Sequence, residues 1–328
     1  MQNTNNFLFQ AGVIFVTYFY YGVLQEKITR GKYVNENVNE KGKIVLENEI
    51  FTYSLTLVFI LCLVNYFASW LCLKLWPREE DKTPRGYYIS VAITYLLGMV
   101  CSNMALQWVP YPTQVVGKAA KPIPVMILGV LLGRKSYPLK KYIFVVLIVL
   151  GVVFFMFKEK AKTTPQQEIG FGLGELLLVM SLTMDGLTGG VQERIRAEAR
   201  PSGQQMMKAT NCWSIIFLFI PLIVTGEAVA FYYFAQRHPM VITNLLVLGV
   251  TQAVGQLFLY SMVSDFGPLV VSVVTTTRKF FTVLGSVILF GNVLTSRQWM
   301  GAVLVFTGLF LDAFFSKGSP KKSPATKS

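Results

Sequence analysis

Charge is scarce in this sequence: of 328 residues only 14% are Asp, Glu, Lys or Arg, while 53% are apolar. A soluble domain carries about 25% charged residues, so a water-soluble fold would lack the polar surface to cover so much apolar side chain. Histidine occurs once, as His238, and the four cysteines, Cys62, Cys72, Cys101 and Cys212, show no paired or metal-ligand spacing. This argues against metal chemistry, no cofactor is predicted, and the thiols read as packing residues. Long polar connections are also missing, so no soluble catalytic domain is attached and any activity must sit within the apolar part. No span carries paired carboxylates or a nucleophile beside a base, which argues against an enzyme.

What is present is a series of long apolar runs, with a mean hydropathy of +0.50. A helix needs about 20 mostly apolar residues to cross a bilayer core of roughly 30 Å. Such runs lie near Leu8 to Gln25, Phe51 to Trp76, Tyr87 to Gln107, Thr113 to Gly133, Pro138 to Phe157, Gly172 to Val191, Gln205 to Gly226, Met240 to Val263, Pro268 to Phe290 and Gln298 to Phe315. The expectation is an all-α membrane protein of ten transmembrane helices. The first run lacks a basic preceding segment, and Gln25-Glu26-Lys27 lacks a signal-peptidase pattern, so it reads as a retained helix. An even number of spans puts both termini on one side. With cytosolic termini, the inner segments hold sixteen Lys and Arg and the outer loops ten, which favours that orientation. The net charge of +13 sits in no aromatic-rich or motif-bearing context for nucleic acid, and anionic lipid headgroups account for most of it.

The chain also echoes itself. At an offset of 158, Val115, Val116, Lys121, Val125, Leu131 and Gly133 fall on Val273, Val274, Lys279, Val283, Leu289 and Gly291. At an offset of 167, Gln25-Glu26-Lys27-Ile28 falls on Gln192-Glu193-Arg194-Ile195. These echoes predict two five-helix repeats, residues 1–157 and 158–316, followed by a basic cytosolic tail over 317–328. Because five is odd, the second repeat enters the membrane in the opposite sense, and inverted repeats are transporter architecture.

Four cations lie inside spans. Gln114, Lys118 and Lys121 follow an i, i+4, i+7 spacing, which stacks them on one helix face. In the ninth span Arg278 and Lys279 are adjacent and diverge by about 100°. Each basic group at mid-span costs roughly 3 kcal/mol even on a lenient insertion scale, so the four oppose insertion by on the order of 10 kcal/mol. Only Glu26 and Asp185 offer themselves as carboxylate partners, which leaves excess positive charge that a multiply charged anion would neutralise. Phosphate fits best, since Lys serves it as a point charge and Arg as a planar fork of donors. Snorkelling to the interface suits cations near helix ends. Lys121 and Lys279, however, lie about 18 Å of helix before the glycine that closes each span. Pro122 and Pro124 should kink the fourth span and free the carbonyl of Lys118.

The strings Tyr18-Phe19-Tyr20-Tyr21-Gly22-Val23-Leu24-Gln25-Glu26-Lys27, Tyr111-Pro112-Thr113-Gln114-Val115-Val116-Gly117-Lys118, Lys121-Pro122-Ile123-Pro124-Val125-Met126 and Thr275-Thr276-Thr277-Arg278-Lys279-Phe280-Phe281 carry a resemblance. The sequence resembles nucleotide-sugar transporters of the drug/metabolite transporter superfamily. Within that family it is most similar to the endoplasmic-reticulum ATP/ADP exchanger branch, also described as UDP-galactose transporter homologues. The resemblance implies ten helices, cytosolic termini, and exchange of cytosolic ATP for lumenal ADP at a central cavity. Lys118, Lys121, Arg278 and Lys279 would bind phosphates, with Gln114 and Glu26 shaping the site and Tyr18, Tyr21 and Tyr95 as candidates to stack on the base. The nearest rival is a nucleotide-sugar antiporter exchanging for a nucleoside monophosphate, and a rival of another class is a non-transporting membrane scaffold. Relatives end in a dilysine signal, whereas this chain ends Lys321-Lys322-Ser323-Pro324-Ala325-Thr326-Lys327-Ser328. Residence in the endoplasmic reticulum is therefore implied by the resemblance alone, with the Golgi membrane as the alternative.

Overall fold

The computed structural model describes residues 2–29, 31–38, 44–105, 108, 118, 120–134, 136–156, 172–289 and 295–316. Among them are eleven helices: α1 (Gln2–Thr29), α2 (Ser54–Leu75), α3 (Arg85–Ala105), α4 (Pro122–Leu131), α5 (Leu139–Met156), α6 (Leu173–Glu198), α7 (Gly203–Val224), α8 (Glu227–Arg237), α9 (Met240–Phe266), α10 (Pro268–Leu289) and α11 (Ser296–Ser316). Among the described residues four stretches, Asn5–Thr29, Ser54–Leu75, Gly203–Val224 and Met240–Phe266, are long and apolar enough to cross a membrane. Two elements are additions to the expected pattern. The short helix α8 occupies what read as a connection, and β1 (Lys32–Val38) pairs antiparallel with β2 (Ile44–Ile50), Lys32 opposite Ile50 and Val38 opposite Ile44.

The chain divides into two compact units. The first comprises Met1–Leu96 and Val191–Val271, the second Leu97–Gly190 and Ser272–Ser328, so each takes stretches from both expected repeats. In the first unit α2 packs on α7 and α1 on α9. Its core gathers Ile28, Phe51, Leu57, Leu61, Phe234, Val241, Leu245 and Leu248. The helix ends are well tied. Ser202 and Gln205 form a reciprocal capping box at the start of α7. A carboxylate oxygen of Glu227 accepts the backbone N–H of Thr56 at 2.7 Å, closing the start of α2 from a neighbouring helix. At the end of α9, Arg196 donates to the carbonyls of Ser264 and Asp265, and Gly267 takes a φ of 96° that a side chain would resist. Outside the hydrocarbon-length helices, Glu49 of β2 meets Arg237 at 3.0 Å and His238 at 3.4 Å, fastening the strand pair to α8. All four cysteines are free thiols, with Cys62 and Cys101 buried.

In the second unit glycine decides the helix spacing. Gly151 of α5 lies against Gly301 of α11, where a Cβ would fall 2.7 Å from the Gly301 carbonyl. On α6, a Cβ at Gly186 would fall 2.8 Å from Leu128 Cδ1 and 2.9 Å from the carbonyl of Pro124. One at Gly189 would fall 2.8 Å from Val125, and one at Gly190 the same distance from the carbonyl of Leu128. Small residues at such a spacing let backbones approach closely, which is how helices associate where lipid supplies no hydrophobic drive. Ala would gain about 1 kcal/mol of helix propensity over Gly, but the Pro124 backbone cannot rotate aside, and overpacking costs roughly 1–3 kcal/mol. Gly186→Ala is therefore expected to lower the melting temperature of the purified protein. Gly22→Ala on α1, where a Cβ meets nothing within 4 Å, should raise it or leave it unchanged.

Candidate functional site

The glycines of α6 follow directly on Asp185, so the contact that draws α6 against α4 also delivers a carboxylate to the start of α4. Lys118 Nζ lies 2.7 Å from Asp185 Oδ2 and Lys121 Nζ 3.3 Å from Asp185 Oδ1. Both lysines thus reach one acid. Behind the carboxylate, Gly98 of α3 leaves room, with its notional Cβ 3.7 Å from Asp185 Oδ1, and Ser181 donates to the Gly98 carbonyl. The two ammonium groups are not equivalent. Lys118, at 15% exposure, is held in the shorter pair, while Lys121, at 38%, keeps an open face.

The prolines act at the beginning of α4 and not in its interior. Pro122 is the first residue of α4, and Lys121 precedes it as the cap. Proline at that position costs no helical hydrogen bond. The Lys118 carbonyl that proline would strand is taken by the N–H of Lys121 at 3.3 Å. Ile123 and Val125 donate to the carbonyls of Ala120 and Lys121, and Pro122 and Pro124 have no N–H. The start of α4 thus has no spare backbone donor among its first four residues, and attraction for an anion there rests on side chains.

On α10, Phe280 is fully buried and meets Phe155 edge to face at 4.8 Å, with Phe306 at 6.2 Å. That anchor fixes the rotation of α10 and turns Lys279, about 100° away, to where it lies within electrostatic reach of Lys118, Lys121 and Asp185. Among the described residues, Lys279 has no ion-pair partner. Arg278 is half-buried, and Thr276 and Thr277 are buried beside it. The Thr277 hydroxyl has no hydrogen-bond partner among the described residues. Among the described residues the unit therefore gathers Lys118, Lys121 and Lys279 around one carboxylate, Asp185, an electropositive constellation at low dielectric.

Gln114 lies outside the described residues, as does the side chain of Glu26 on α1. The aromatic candidates belong to the first unit. Tyr18 and Tyr21 meet edge to face at 6.1 Å. Tyr95 is 38% exposed and within electrostatic reach of Tyr18, Tyr21 and Tyr260. Sequence reasoning named Asp185 but missed the glycines and Ser181 that position it. Their signal was the density of small residues from Ser181 to Gly190 around one acid.

A family model described as the UAA transporter family matches residues 6–316. The solute carrier family 35 member B1 homolog of Drosophila melanogaster is 55% identical over 324 residues, 98% of this chain and 94% of that protein. Solute carrier family 35 member B1 of Mus musculus is 50% identical and that of Danio rerio 49%, each over 311 residues and 94% of this chain, covering 94% and 92% of those proteins. One solved crystal structure matches at a TM-score of 0.54 and 11% identity, over 93% of this chain and 98% of its own. At that identity the likeness concerns the fold alone.

Proposed function

The chain belongs to the UAA transporter family, and from that premise we propose that it is a nucleotide antiporter of the endoplasmic-reticulum membrane, exchanging cytosolic ATP for lumenal ADP by alternating access. The observation that carries the reading is an imbalance in the second unit: among the described residues Lys118, Lys121 and Lys279 gather around one carboxylate, Asp185, with Arg278 next to Lys279 in the chain. A nucleotide polyphosphate supplies the missing negative charge in several places at once. In this reading Lys121 and Lys279 make the first contacts, Lys118 exchanges Asp185 for a phosphate oxygen, and Arg278 contributes a planar fork of donors. Gln114 and Glu26 shape the site, and Tyr18, Tyr21 and Tyr95 are candidates for the base.

The ten-helix arrangement as two inverted repeats, with cytosolic termini, belongs to the same proposal. It is supported by the paired echoes in the sequence and by the matched burial of Ile28 and Ile195, at 1% and 0%, which the second echo aligns. Obligatory exchange follows from charge: an empty site with surplus ammonium groups resists reorganising, because their repulsion is unscreened by water.

Counter-flow in liposomes containing the purified protein tests the proposal. Vesicles loaded with ADP should take up labelled ATP well above vesicles without internal nucleotide. Preference for UDP-galactose against a nucleoside monophosphate would replace this reading with the nucleotide-sugar antiporter, and absence of any exchange would leave the scaffold.

A further inference from the structure

A cavity of about 680 Å³ lies wholly within the first unit, at the polar end of the α2–α7 pair. Its mouth is the segment after α2, which carries Arg78, Glu79 and Glu80, together with Arg85 at the start of α3. Its wall is α7, from Lys208 down to Trp213 and Ile216, with Tyr66 of α2 opposite. Depth along α7 sorts the chemistry. Lys208 sits near the polar end, and Ile216 lies about 12 Å deeper at 1.5 Å per residue. Ile216 is 48% exposed, so the deep end opens sideways onto apolar surface.

The segment at the mouth is built and not a loose loop. Asp81 accepts from the N–H and hydroxyl of Thr83 and from the Tyr88 hydroxyl, the last at 2.6 Å, and its carboxylate is thereby used up. Gln205 of α7 donates to the Glu79 carbonyl at 2.6 Å, fixing the segment to the wall. Yet among the described residues none of Arg78, Arg85, Lys208, Glu79 and Glu80 forms an ion pair, although both signs line one cavity. Side chains of opposite charge held apart around a common space complement a ligand that carries both charges. The apolar depth below them complements hydrocarbon.

We propose that this cavity binds a phospholipid with a phosphate-and-ammonium headgroup of the ethanolamine type. The phosphate rests on Lys208, flanked by Arg78 and Arg85, the ammonium meets Glu79 and Glu80, and the acyl chains descend along Tyr66, Trp213 and Ile216. Basic pockets between helices at the membrane surface are suited to lipid headgroups, and the two carboxylates here select against a purely anionic one.

Thermal unfolding of the full-length protein in detergent tests this with three probes: dihexanoyl phosphatidylethanolamine, glycerophosphoethanolamine, and dihexanoyl phosphatidylglycerol. The chain-bearing ethanolamine lipid should raise the melting temperature at a concentration at least about tenfold lower than either other probe. Lys208→Met should raise the half-saturating concentration about tenfold or more. Glu80→Gln, a change at an exposed position that leaves folding intact, should erase the preference over the glycerol lipid even if Lys208→Met does not fold. Equal stabilisation by the chainless headgroup would assign the cavity to a soluble phosphate compound and overturn the proposal. Equal response to the glycerol lipid, or an unaltered preference in Glu80→Gln, would overturn it as well.

Discussion

Lys279→Ala should lower ATP counter-flow by about a hundredfold or more while leaving the stability of the empty protein intact. Truncating one partner of a desolvated, charge-assisted contact costs about 2–5 kcal/mol, and 3 kcal/mol is already more than a hundredfold in affinity. The two readouts separate because of where the ammonium stands. It has no ion-pair partner among the described residues, so in the absence of nucleotide it opposes stability. Removing it should leave the melting temperature unchanged or higher, while the shift on adding ATP disappears. Lys279→Arg should retain part of the shift, since charge is kept and geometry altered. Exchange at the native level, or a fall in stability matching the loss of exchange, would show that Lys279 is a packing residue.

Asp185→Asn should have the opposite signature. The carboxylate is the shared partner of Lys118 and Lys121, and removing one member of a buried pair typically costs about 3–5 kcal/mol, because the other charge is left uncompensated. The empty protein should therefore melt at a markedly lower temperature. If phosphate takes over the same ammonium groups, however, it no longer competes with an internal acid, so the ATP-dependent shift should be larger than in the unaltered protein. Exchange should slow, because the nucleotide leaves less readily and the empty site is less tolerable. A smaller ATP shift would mean that Asp185 holds the lysines in position for phosphate and does not compete with it.

How far the amino acids announced this structure varies from element to element. Apolar runs marked the helices well, because a length requirement of about 20 residues is hard to meet by chance. The cations stood out in the sequence for a related reason: Lys121 and Lys279 fall within apolar runs, where a basic group is costly to insert. The strand pair Lys32–Val38 and Ile44–Ile50 is not legible in the sequence, because Asn, Glu and Lys are prominent in and between the two strands. In Tyr33-Val34-Asn35-Glu36-Asn37-Val38 apolar and polar residues come in blocks, so the strand carries no period-2 signal to read. Helix α8 was hidden between Gly226 and Pro239, two residues that punctuate chains, although Glu227 in its first turn was a start signal. The partnership of Asp185 with both lysines needed knowledge of which helix packs against which. One sequence does not contain that, because the deciding quantity is a distance between backbones that Gly186, Gly189 and Gly190 permit without naming the neighbour.

The contact of α4 with α6 has no slack, since the space a single methyl group would need is already filled by the facing backbone. Two rods in such contact do not slide or roll without first separating. Lys118, Lys121 and Asp185 must then ride through a transport cycle as cargo of one solid piece, with bending absorbed where side chains, not main chains, form the joint.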